Sequence, residues 1–531
     1  MRNILSINFN HDGSGVILRD GAIAGFVNTE RFSRKKKHPG IRAAELIELL
    51  EQSGLSVRDL DFILLCNLHN MDTPDIPAKH GTDLKETWLD FRLDESATTV
   101  SLDGVSIPCL VNPTHHMLHV AAAYYTSPFD SAIAFSADPV GCAAYICENN
   151  SLRSVPNLEL DMSASLGYNA VSDELFGSPV FSAGKVMGLA PYGKPEGVPP
   201  VDYHWIQTLE QLAWLGGINP VMVEERERRL NATLAYHIQQ ALEVQLSDIL
   251  RQLHSVGVQH EIAPNLCLGG GTALNSVANQ IAFAQSGFER LHLHPACGDD
   301  GTAIGAALWY WHHQLGHPKR RFHNRELMYS VREYGHLIDH TLARYADRIR
   351  VEHTESYLDA TAELLLQGKI IGWFQGPSEI GPRALGNRSI LADPRSPNMK
   401  DLLNSRVKFR ERFRPFAPSV LDEQACSWFG LSDSPFMLRV ARVLKDGIPA
   451  VTHVDRTARI QSVAAQDNPA FYGLIDRFFL KTGVPLVLNT SFNIKDEPIV
   501  ETPDDALRCF LSTGLDHLVF ENRIVCKRGS P

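Results

Sequence analysis

The chain has 531 residues, of which 44% are hydrophobic and 21% charged, an ordinary composition for a globular protein of several domains. This composition excludes a mainly disordered chain, a collagen and a small disulfide-rich scaffold. The net charge of −11 argues against a general binder of nucleic acid or anionic membranes. Nine scattered cysteines without a CxxC pair, and no apolar stretch of about 18 residues, indicate a soluble cytoplasmic protein with reduced thiols.

The first quarter of the chain predicts short strands that alternate with helices. Runs of β-branched and aromatic residues between turn residues predict strands, and apolar residues at helical spacing predict helices. The predicted strands cover residues 4–9, 16–19, 22–28, 62–66, 107–111 and 132–135. The predicted helices cover residues 41–52 and 117–126.

The rest of the chain continues this α/β order after one long amphipathic helix over residues 226–256. The elements predicted next are a strand at 266–268, a helix at 273–285, a strand at 291–293, a helix at 302–315, a helix at 357–366 and a strand at 370–374. A polar and basic segment that begins near residue 316 predicts a domain boundary. We therefore expect an α/β protein with one domain over 1–340 and a second over 341–531.

A histidine cluster predicts a metal site. His115 and His119 are four residues apart and therefore face the same side of a helix, where two imidazoles can share a first-row divalent ion. Asp138 ends the next apolar strand, where a sheet delivers side chains to a cleft, and its carboxylate can complete the set. The alternative is a helix whose histidines only cap it or pack in the core.

Three glycine-containing turns suit anions or cations. The opening INFNHDGSG places Asp12 at a strand end, which suits a nucleotide phosphate with its metal ion, although Asp-Gly is also a common hairpin turn. The triglycine run 269–271 precedes a helix N-terminus, which favours anions, but its spacing matches neither a Rossmann nor a P-loop motif. Asp299 and Asp300 repel each other, which favours a nearby cation; a solvated helix N-terminus is the alternative.

Residues 368–421 hold ten basic and four acidic residues, a local charge of +6 within an acidic chain. Interleaved glycine and proline indicate structured loops rather than a charged helix face. Arginines that converge on one pocket suit a phosphate or carboxyphosphate group, and Arg459, Asn489 and Asn493 can add donors. The alternatives are RNA binding, which the acidic total disfavours, and a solvated basic face.

Nine motifs occur along the chain in the order typical of a known family. They are HDGSG with TERFSRKKKH, HHMLHVAAAYYTSPF, GKVMGLAPYG, GGGTALN, GDDGTAIGAAL, EIGPRALGNRSILADPR, KFRERFRPFAP, HVDRTARIQSV and NTSFNIKDEPIV. In these motifs the chain resembles the nodulation-type O-carbamoyltransferases, which include the enzymes that tailor nebramycin, geldanamycin and novobiocin. The resemblance implies an N-terminal ASKHA-type domain, similar to the tRNA threonylcarbamoyl-transfer enzyme, and a C-terminal YrdC-like domain.

The resemblance also implies a reaction. In this family carbamoyl phosphate loses phosphate in the C-terminal domain, and the carbamate reacts with ATP to give carbamoyl-adenylate and pyrophosphate. A hydroxyl group of a small natural product then takes the carbamoyl group in the N-terminal domain. Because carbamate and the adenylate would hydrolyse in water, we expect an internal path between the two sites.

The resemblance implies a role for each matching residue. The implied ligands of a divalent metal, Fe²⁺ in this family, are His115, His119, Asp138 and Asp300. The implied contacts to ATP, which carries Mg²⁺, are Lys185, Gly188, Gly269, Gly270, Gly271 and Asn275. The implied contacts to carbamoyl phosphate are Arg383, Lys408, Arg414, Arg459 and Asn489, with Lys408 and Arg414 taking part in catalysis. His11, with Asp12 beside it, is implied as the base near the acceptor hydroxyl.

One stretch departs from the family pattern. The family usually has Asp-Gly-x-Gly-Glu where this chain has Asp138-Pro139-Val140-Gly141-Cys142. Proline carries no N–H, so position 139 cannot donate a backbone hydrogen bond to a phosphate, and no acidic contact is available at position 142.

Two other functions stay open at this point. One is a threonylcarbamoyl-type tRNA modification or hydrogenase maturation enzyme, although the latter would carry CxxC zinc fingers. The other is a non-catalytic nucleotide-binding regulator of ASKHA type, which would leave the basic segment without a purpose. For the carbamoyltransferase we expect no nucleic-acid or membrane partner, and a homodimer on base rates alone.

Overall fold

The structure, a computed structural model, describes residues 2–68, 92–93, 96, 98–155, 158, 160–194 and 224–529. Its first sheet has the strand order β3-β2-β1-β4-β7-β6-β5. The strands are β1 (Asn3–Asn8), β2 (Ser14–Arg19), β3 (Ala22–Asn28), β4 (Phe62–Cys66), β5 (Arg92–Leu93), β6 (Thr99–Leu102) and β7 (Val105–Val111). β1, β2 and β3 form an antiparallel meander, and β4 and β7 extend the sheet parallel to β1.

The second sheet repeats this topology, with the order β10-β9-β8-β11-β12. The strands are β8 (Ser131–Asp138), β9 (Gly141–Glu148), β10 (Ser151–Ser154), β11 (Asn265–Gly269) and β12 (Arg290–Leu293). β8, β9 and β10 again form an antiparallel meander, and β11 and β12 again run parallel to the first strand. Because side chains at the carboxyl ends of parallel strands meet at one edge, the two sheets deliver polar groups to a shared cleft.

Two helices from different parts of the chain pack against each other between these sheets. The helices of this half are α1 (Thr29–Ser33), α2 (Ala43–Ser53), α3 (His115–Thr126), α4 (Ser163–Phe176), α5 (Pro179–Leu189), α6 (Glu224–Gln259), α7 (Ser276–Ser286) and α8 (Thr302–Trp309). α3 contacts β8, β9 and β11, whereas α8 contacts β1, β2 and β4. They cross closely at Gly305, where a Cβ atom would lie 1.9 Å from the carbonyl oxygen of Leu118. This crossing fixes α3, and with it the histidine cluster, in the middle of the N-terminal half.

The C-terminal half is built on one mixed sheet with the order β13-β21-β20-β14-β15-β19-β16-β18-β17. The strands are β13 (Ile349–His353), β14 (Ile371–Phe374), β15 (Arg388–Ala392), β16 (Ala417–Leu421), β17 (Arg439–Arg442), β18 (Thr457–Val463), β19 (Leu486–Ser491), β20 (His517–Phe520) and β21 (Arg523–Lys527). The helices are α9 (Asn324–Met328), α10 (Gly335–Ala343), α11 (Tyr357–Leu366), α12 (Met399–Leu403), α13 (Asp422–Phe429), α14 (Pro469–Thr482) and α15 (Pro503–Ser512). Hydrophobic clusters cover both faces of the central strands.

The segment around α1 joins the two halves. The guanidinium of Arg31 donates to the carbonyl of Gly381 at 2.7 Å, and that of Arg34 donates to the carbonyls of Pro498 and Ile499 at 2.9 and 2.8 Å. Met328 packs in the core of the second sheet, whereas Tyr334 packs in the core of the C-terminal sheet. The chain therefore passes from one core to the other within a few residues.

The predicted α/β class is confirmed, and the predicted strands and helices recur in the structure. The helix expected at 273–285 begins at Ser276, because residues Gly271–Leu274 form a 3₁₀ turn and Asn275 caps the helix by accepting the N–H of Ala278. The YrdC-like assignment stays a prediction. Within the described residues, every helix is either too short or too polar to cross a membrane.

Candidate active site

The histidine cluster and the end of β8 meet in the cleft. His115 Nε2 lies 2.9 Å from Asp138 Oδ2 and 3.2 Å from His119 Nε2. One ligand atom from each of these three residues lies within 4.8 Å of the others. Two imidazoles and a carboxylate are a donor set that first-row divalent ions accept. The structure therefore brings together the three residues that the sequence pattern singled out.

The fourth group against the imidazoles is Asp299. Its Oδ1 lies 3.3 Å from His119 Nε2 and 3.8 Å from His115 Nε2. Within the described residues no contact joins Asp300 to either imidazole; its side chain lies on the wall of the adjoining cavity. Burial, followed by the charge of Asp12, raises the pKa of Asp300 to about 8. The family resemblance selects the second of the two adjacent aspartates, and the structure brings the first one to the histidines.

The buried carboxylates beside His115 and His119 favour a bound cation. Burial disfavours an ionised Asp299, yet the hydrogen bond from His119 lowers the pKa of that carboxyl below its ordinary value. Burial likewise opposes a charged His115, but the hydrogen bond to Asp138 raises its pKa overall. Two buried carboxylates and two imidazoles thus share a small space, and a positive charge at their centre would relieve the repulsion between the oxygen atoms. The donor chemistry fits a divalent metal ion.

His11 and Asp12 lie beside this cluster on the turn after β1. His11 Nδ1 lies 2.9 Å from Asp12 Oδ2, and His11 Nε2 lies 3.6 Å from Asp299 Oδ2. The hydrogen bond to Asp12 is the largest influence on His11 and raises the pKa of its imidazole. Lys37 also bonds Asp12, at 2.7 Å, so the carboxylate orients both the imidazole and the ammonium group. The imidazole is oriented at the edge of the candidate metal site.

Four arginines converge in the C-terminal half. They are Arg383 before β15, Arg410 and Arg414 before β16, and Arg459 on β18, and all four line one cavity. Burial lowers the pKa of Arg459 well below its ordinary value, and the charges of the other three lower it further. Burial also lowers the pKa of Arg410 to about 9. The carboxylate nearest this group, that of Glu411, lies 3.7 Å from Arg414.

Donor atoms in this group are unpaired. The buried Nε atoms of Arg383 and Arg459 have no hydrogen-bond partner, and neither has the buried Oδ1 of Asn489. Unpaired buried donors and like charges in one place are costly unless a ligand satisfies them. A planar or tetrahedral anion is the ligand that guanidinium groups pair with best. The geometry therefore supports an anion site formed by these arginines.

Lys408 lies outside the cavity wall. Its ammonium donates to Asn493 Oδ1 at 2.7 Å, to the Asn493 carbonyl at 3.1 Å and to the Ser491 carbonyl. Asn489 donates to Ser419 Oγ at 2.9 Å and to the carbonyl of Ala384 at 3.1 Å. Lys408 thus holds the turn after β19, whose residues line the cavity, rather than reaching the cavity itself.

One cavity of about 440 Å³ is lined both by the arginine group and by residues that neighbour the histidine cluster. His11, Asp12 and Asp300 line it together with the four arginines, whereas His115, His119 and Asp138 are not among its lining residues. Lys36 lines the wall as well, and the charge of Arg414 acts on its ammonium. The lining therefore combines the carboxylates of Asp12 and Asp300 with the four guanidinium groups, so the cavity can hold an anion together with a cation.

The triglycine loop has both a packing role and a cavity role. Gly270 has φ +85°, and a Cβ atom there would lie 2.3 Å from the carbonyl oxygen of Ala137. Gly269 is close to the His119 carbonyl, where a Cβ atom would lie 2.8 Å away. Gly271 lines the cavity, together with Asn275. The first two glycines thus allow the loop to approach the metal cluster, and the third faces open space.

The helices above this loop complete a recess in the cavity wall, lined by Tyr168, Met187 and Leu242. Asn275 Nδ2 donates to Gln239 Oε1 at 2.9 Å, which fixes the orientation of its amide. Lys185 lies outside the lining and pairs with Glu411 Oε1 at 3.2 Å. Gly188 lies against the loop that carries Arg414, because a Cβ atom there would lie 3.5 Å from Pro415 Cδ. The GKVMGLAPYG segment thus contacts the C-terminal half.

The stretch that departs from the family pattern forms the β8–β9 turn. Asp138 pairs with Gly141, and Pro139 and Val140 form the connection. Pro139 lines the cavity, whereas Cys142 Sγ faces the carbonyl of Leu160 at 3.6 Å. The proline therefore affects the cavity wall and the cysteine does not.

Sequence reasoning missed three residues of this site: Asp299 as the neighbour of the imidazoles, Arg410 in the anion site and Lys36 on the wall. Arg410 stood in the basic segment, and Lys36 in the RKKK run after α1. Which members of such a run face inward depends on the loop path, and the spacing does not reveal it.

Comparisons with known proteins agree with the motifs. A family model described as "Carbamoyltransferase N-terminus" matches residues 3–308, and one described as "Carbamoyltransferase C-terminus" matches residues 362–527. An uncharacterized protein of Synechocystis sp. is 31% identical over 100% of this chain and 98% of its own length. The nodulation protein NolNO of Sinorhizobium fredii is 33% identical over 98% of this chain and 79% of its own length.

A 3'-hydroxymethylcephem-O-carbamoyltransferase of Amycolatopsis lactamdurans is 27% identical over 97% of this chain and 98% of its own length. Among solved structures, full-length HypF in its phosphate- and nucleotide-bound form is similar to this chain. The match covers 58% of this chain and 46% of the HypF chain. Its sequence identity is 12% and its TM-score 0.35, a likeness too remote to bear on function.

Proposed function

The chain belongs to the carbamoyltransferase family, and we propose that it is an ATP-dependent O-carbamoyltransferase that uses carbamoyl phosphate. The acceptor in this proposal is a hydroxyl group of a small molecule. Relatives named as O-carbamoyltransferases of a hydroxymethyl compound support that acceptor class. The observation that carries the proposal is the group of four buried arginines, whose one ion pair within the described residues is that of Arg414 with Glu411, and which lines the same cavity as His11, Asp12 and Asp300.

Carbamoyl phosphate suits the arginine end of the cavity. Its phosphate would pair with Arg383 and Arg459, whose unpaired Nε donors need an anion, and with Arg414 on the same cavity wall. Asn489 would offer an amide oxygen to the carbamoyl NH₂ group, because its buried Oδ1 has no partner. Lys408 would contribute by holding the Ser491–Asn493 turn against the ligand.

The proposed reaction has three balanced steps. Water cleaves carbamoyl phosphate to carbamate and phosphate. A carbamate oxygen attacks the α-phosphorus of ATP, the bond to the β-phosphate breaks, and carbamoyl-adenylate and pyrophosphate form. The acceptor hydroxyl attacks the carbamoyl carbon, AMP leaves with the bridging oxygen, and the hydroxyl proton passes to a base. Activation is needed because resonance makes carbamate itself a poor electrophile.

The chain's own residues would bind and orient these groups. The recess beside Asn275 would take the nucleoside, and Gly271 would let the phosphates approach the backbone. Asp12 and Asp300 would face the Mg²⁺ that accompanies ATP. The ammonium group of Lys36, which lines the same cavity, would bind the anionic intermediate. His11 would accept the proton of the acceptor hydroxyl beside the candidate metal site.

The residues around the histidine cluster fit a divalent metal. His115, His119 and Asp138 would hold the ion, with Asp299 rather than Asp300 as the fourth group. We propose Fe²⁺, the ion that the family resemblance implies. When bound, the ion would neutralise charge that develops on phosphate oxygens.

The test needs no knowledge of the acceptor. Purified protein is incubated with ATP and carbamoyl phosphate, each alone and both together, and AMP and pyrophosphate are measured. We expect both products only when both substrates are present, because water slowly replaces the acceptor. A non-catalytic regulator would release neither product, and release of ADP instead of AMP would contradict the adenylate intermediate.

A further inference from the structure

We propose that Asn8 and Asn67 are positioning residues that fix the tautomer of His115 and so direct its Nε2 lone pair toward the candidate metal. This inference rests on the proposed metal site. Asn8 is the last residue of β1, and Asn67 follows β4, the parallel neighbour of β1. Both side chains are buried. Asn67 has φ +62°, a left-handed conformation that asparagine tolerates better than most residues.

The orientation of the Asn8 amide is fixed by backbone groups. Its Nδ2 donates to the carbonyl oxygens of Asp12 and Asp299 at 3.1 and 3.0 Å. Carbonyl oxygens can only accept, so the NH₂ group must face them. The Asn8 Oδ1 atom in turn accepts the backbone N–H of Asn10 at 3.2 Å. Exchanging the oxygen and nitrogen of this amide would therefore break all three of these hydrogen bonds.

Asn8 then fixes Asn67. The Asn8 Oδ1 atom also accepts from Asn67 Nδ2 at 2.7 Å. Asn67 Nδ2 lies 3.3 Å from Thr302 Oγ1 as well, and that hydroxyl uses its own proton on the Asp299 carbonyl. Both neighbours of this NH₂ group are thus acceptors. The Asn67 amide must present its oxygen on the other side.

That oxygen faces the imidazole. Asn67 Oδ1 lies 2.8 Å from His115 Nδ1 and can only accept, so Nδ1 carries the proton when Nε2 gives its lone pair to a metal ion. His115 Nε2 lies 2.9 Å from Asp138 Oδ2 and 3.2 Å from His119 Nε2. With the proton on Nδ1, the Nε2 lone pair is free to bind an ion held between these groups. Two backbone carbonyls on the turn after β1 and the loop before α8 thereby set the ligand atom of His115 through two amides.

Asparagines at the end of β1 also hold Asp299, the carboxylate beside the imidazoles. Asn8 bonds the carbonyl of Asp299, and Asn10 Nδ2 donates to Asp299 Oδ2 at 2.9 Å. The end of β1 therefore holds both an imidazole and a carboxylate that face the candidate metal. Groups that hold metal ligands in this way commonly contribute 10- to 100-fold to metal affinity.

The test compares Asn67→Gly with Asn112→Gly. Glycine adopts the positive φ of both positions without strain, so both backbones are retained. Asn112 is the matched control, because it follows the parallel strand β7, has φ +51° and accepts the N–H of Leu68 at 2.6 Å. The contacts of Asn112 within the described residues do not include His115. Affinity for Fe²⁺ and Co²⁺ is measured on the full chain by competition with a chelator.

We expect Asn67→Gly to weaken binding of both ions by about 10- to 100-fold and Asn112→Gly to leave it within about threefold. Equal losses in both variants would overturn the inference, because the effect would then come from loosening of the adjacent loops. Unchanged affinity in Asn67→Gly would overturn it too.

A second readout reports the tautomer directly. Long-range ¹⁵N–¹H spectra of selectively histidine-labelled protein, loaded with the diamagnetic ion Zn²⁺, show which ring nitrogen of His115 carries the proton. We expect the Nδ1–H form in the wild type and a mixture in Asn67→Gly. A metal-loaded wild type with the Nε2–H form would overturn the inference alone, whereas a wild type that binds none of the three ions would contradict the proposed metal site.

Discussion

At the scale of single residues, the site is organised by charges that lack partners. Arg459 is buried beside three other arginines, and the pKa of each is lowered first by burial. Such an arrangement lowers the stability of the ligand-free protein, and binding of an anion offsets this loss. The carboxyl and imidazole groups of the histidine cluster have the complementary need for a cation.

Arg459→Met tests this view of the arginine cluster. Removing one buried charge should raise the unfolding free energy of the ligand-free protein by on the order of 1 kcal/mol. It should also weaken binding of carbamoyl phosphate by about 2–4 kcal/mol, since buried charge-assisted bonds are lost. Urea unfolding with and without the ligand measures both effects. Arg442→Met, at an exposed position on β17, is the control and should change neither; a large loss of stability in Arg459→Met would contradict the account.

Lys408 and Arg414 should differ in stability although both serve the anion site. In Lys408→Met the buried carbonyls of Ser491 and Asn493 lose their donor, which should cost about 2–4 kcal/mol of unfolding free energy. In Arg414→Ala only a 3.7 Å pair with Glu411 is lost, which should cost less than about 1 kcal/mol. Both variants should lose carbamoyl phosphate-dependent AMP formation. If Lys408→Met kept full stability, its proposed positioning role would be wrong.

At the scale of elements, the end of each parallel strand supplies one part of the site. β1, β4, β8 and β11 end beside the cleft, and the loops that follow them carry His11, Asn67, Pro139 and the triglycine run. The turn geometry of these loops decides which side chains point into the cavity. Two variants in the triglycine run separate its packing role from its cavity role, and one variant on α6 tests a buried carboxyl group.

Gly270→Ala and Gly271→Ala should have opposite consequences. A methyl group at Gly270 would clash with the Ala137 carbonyl and would also require a positive φ, so the loss of unfolding free energy should exceed about 3 kcal/mol. At Gly271 the nearest atom is Asp138 Cβ at 3.8 Å, an ordinary contact, so folding should be retained. The methyl group there enters the cavity and should raise the KM for ATP. Thermal unfolding and steady-state kinetics separate the outcomes; wild-type KM in Gly271→Ala would contradict the proposed nucleotide position.

Glu243 on α6 gives a pH-dependent prediction. Burial raises the pKa of this carboxyl from 4.5 to about 7, although Gln239 and Gln240 donate to it. The folded protein therefore binds the proton more tightly than the unfolded chain, and stability falls as the pH rises from about 4.5 to 7. Glu243→Gln should be more stable than the wild type by about 3 kcal/mol at pH 8 and nearly equal below pH 4.5. Urea unfolding at several pH values measures the difference, and an equal difference at every pH would contradict the raised pKa.

The local elements were predictable because each rests on local rules. The helix that carries His115 and His119, the strand that ends at Asp138 and the long α6 follow from hydrophobic periodicity. The choice between Asp299 and Asp300 did not follow, because adjacent residues differ only in the direction that a short turn gives them. Lys408 shows the same limit: a lysine in a basic segment looks like a ligand contact until its ammonium is found against Ser491 and Asn493.

At the scale of the whole molecule, the proposed reaction needs the two halves of the chain to share one cavity. Neither half of the chain contains the cavity, because His11 and Asp300 come from the first and Arg414 and Arg459 from the second. Contacts of Arg31 and Arg34 with the C-terminal half hold the two sides together. No pattern in the sequence predicts such a junction, since it depends on how two cores pack.

An ¹⁸O-transfer experiment tests this claim most directly. Carbamoyl phosphate labelled with ¹⁸O at the carbonyl oxygen is supplied with ATP, and the AMP is analysed by mass spectrometry. Carbamate that stays in the cavity keeps its label and passes one of its two equivalent carboxylate oxygens to the phosphate of AMP. The account therefore predicts AMP that carries one ¹⁸O atom in up to half of its molecules. Unlabelled AMP formed at the same rate would mean that carbamate first equilibrates with CO₂ and bulk water, and would contradict the shared cavity.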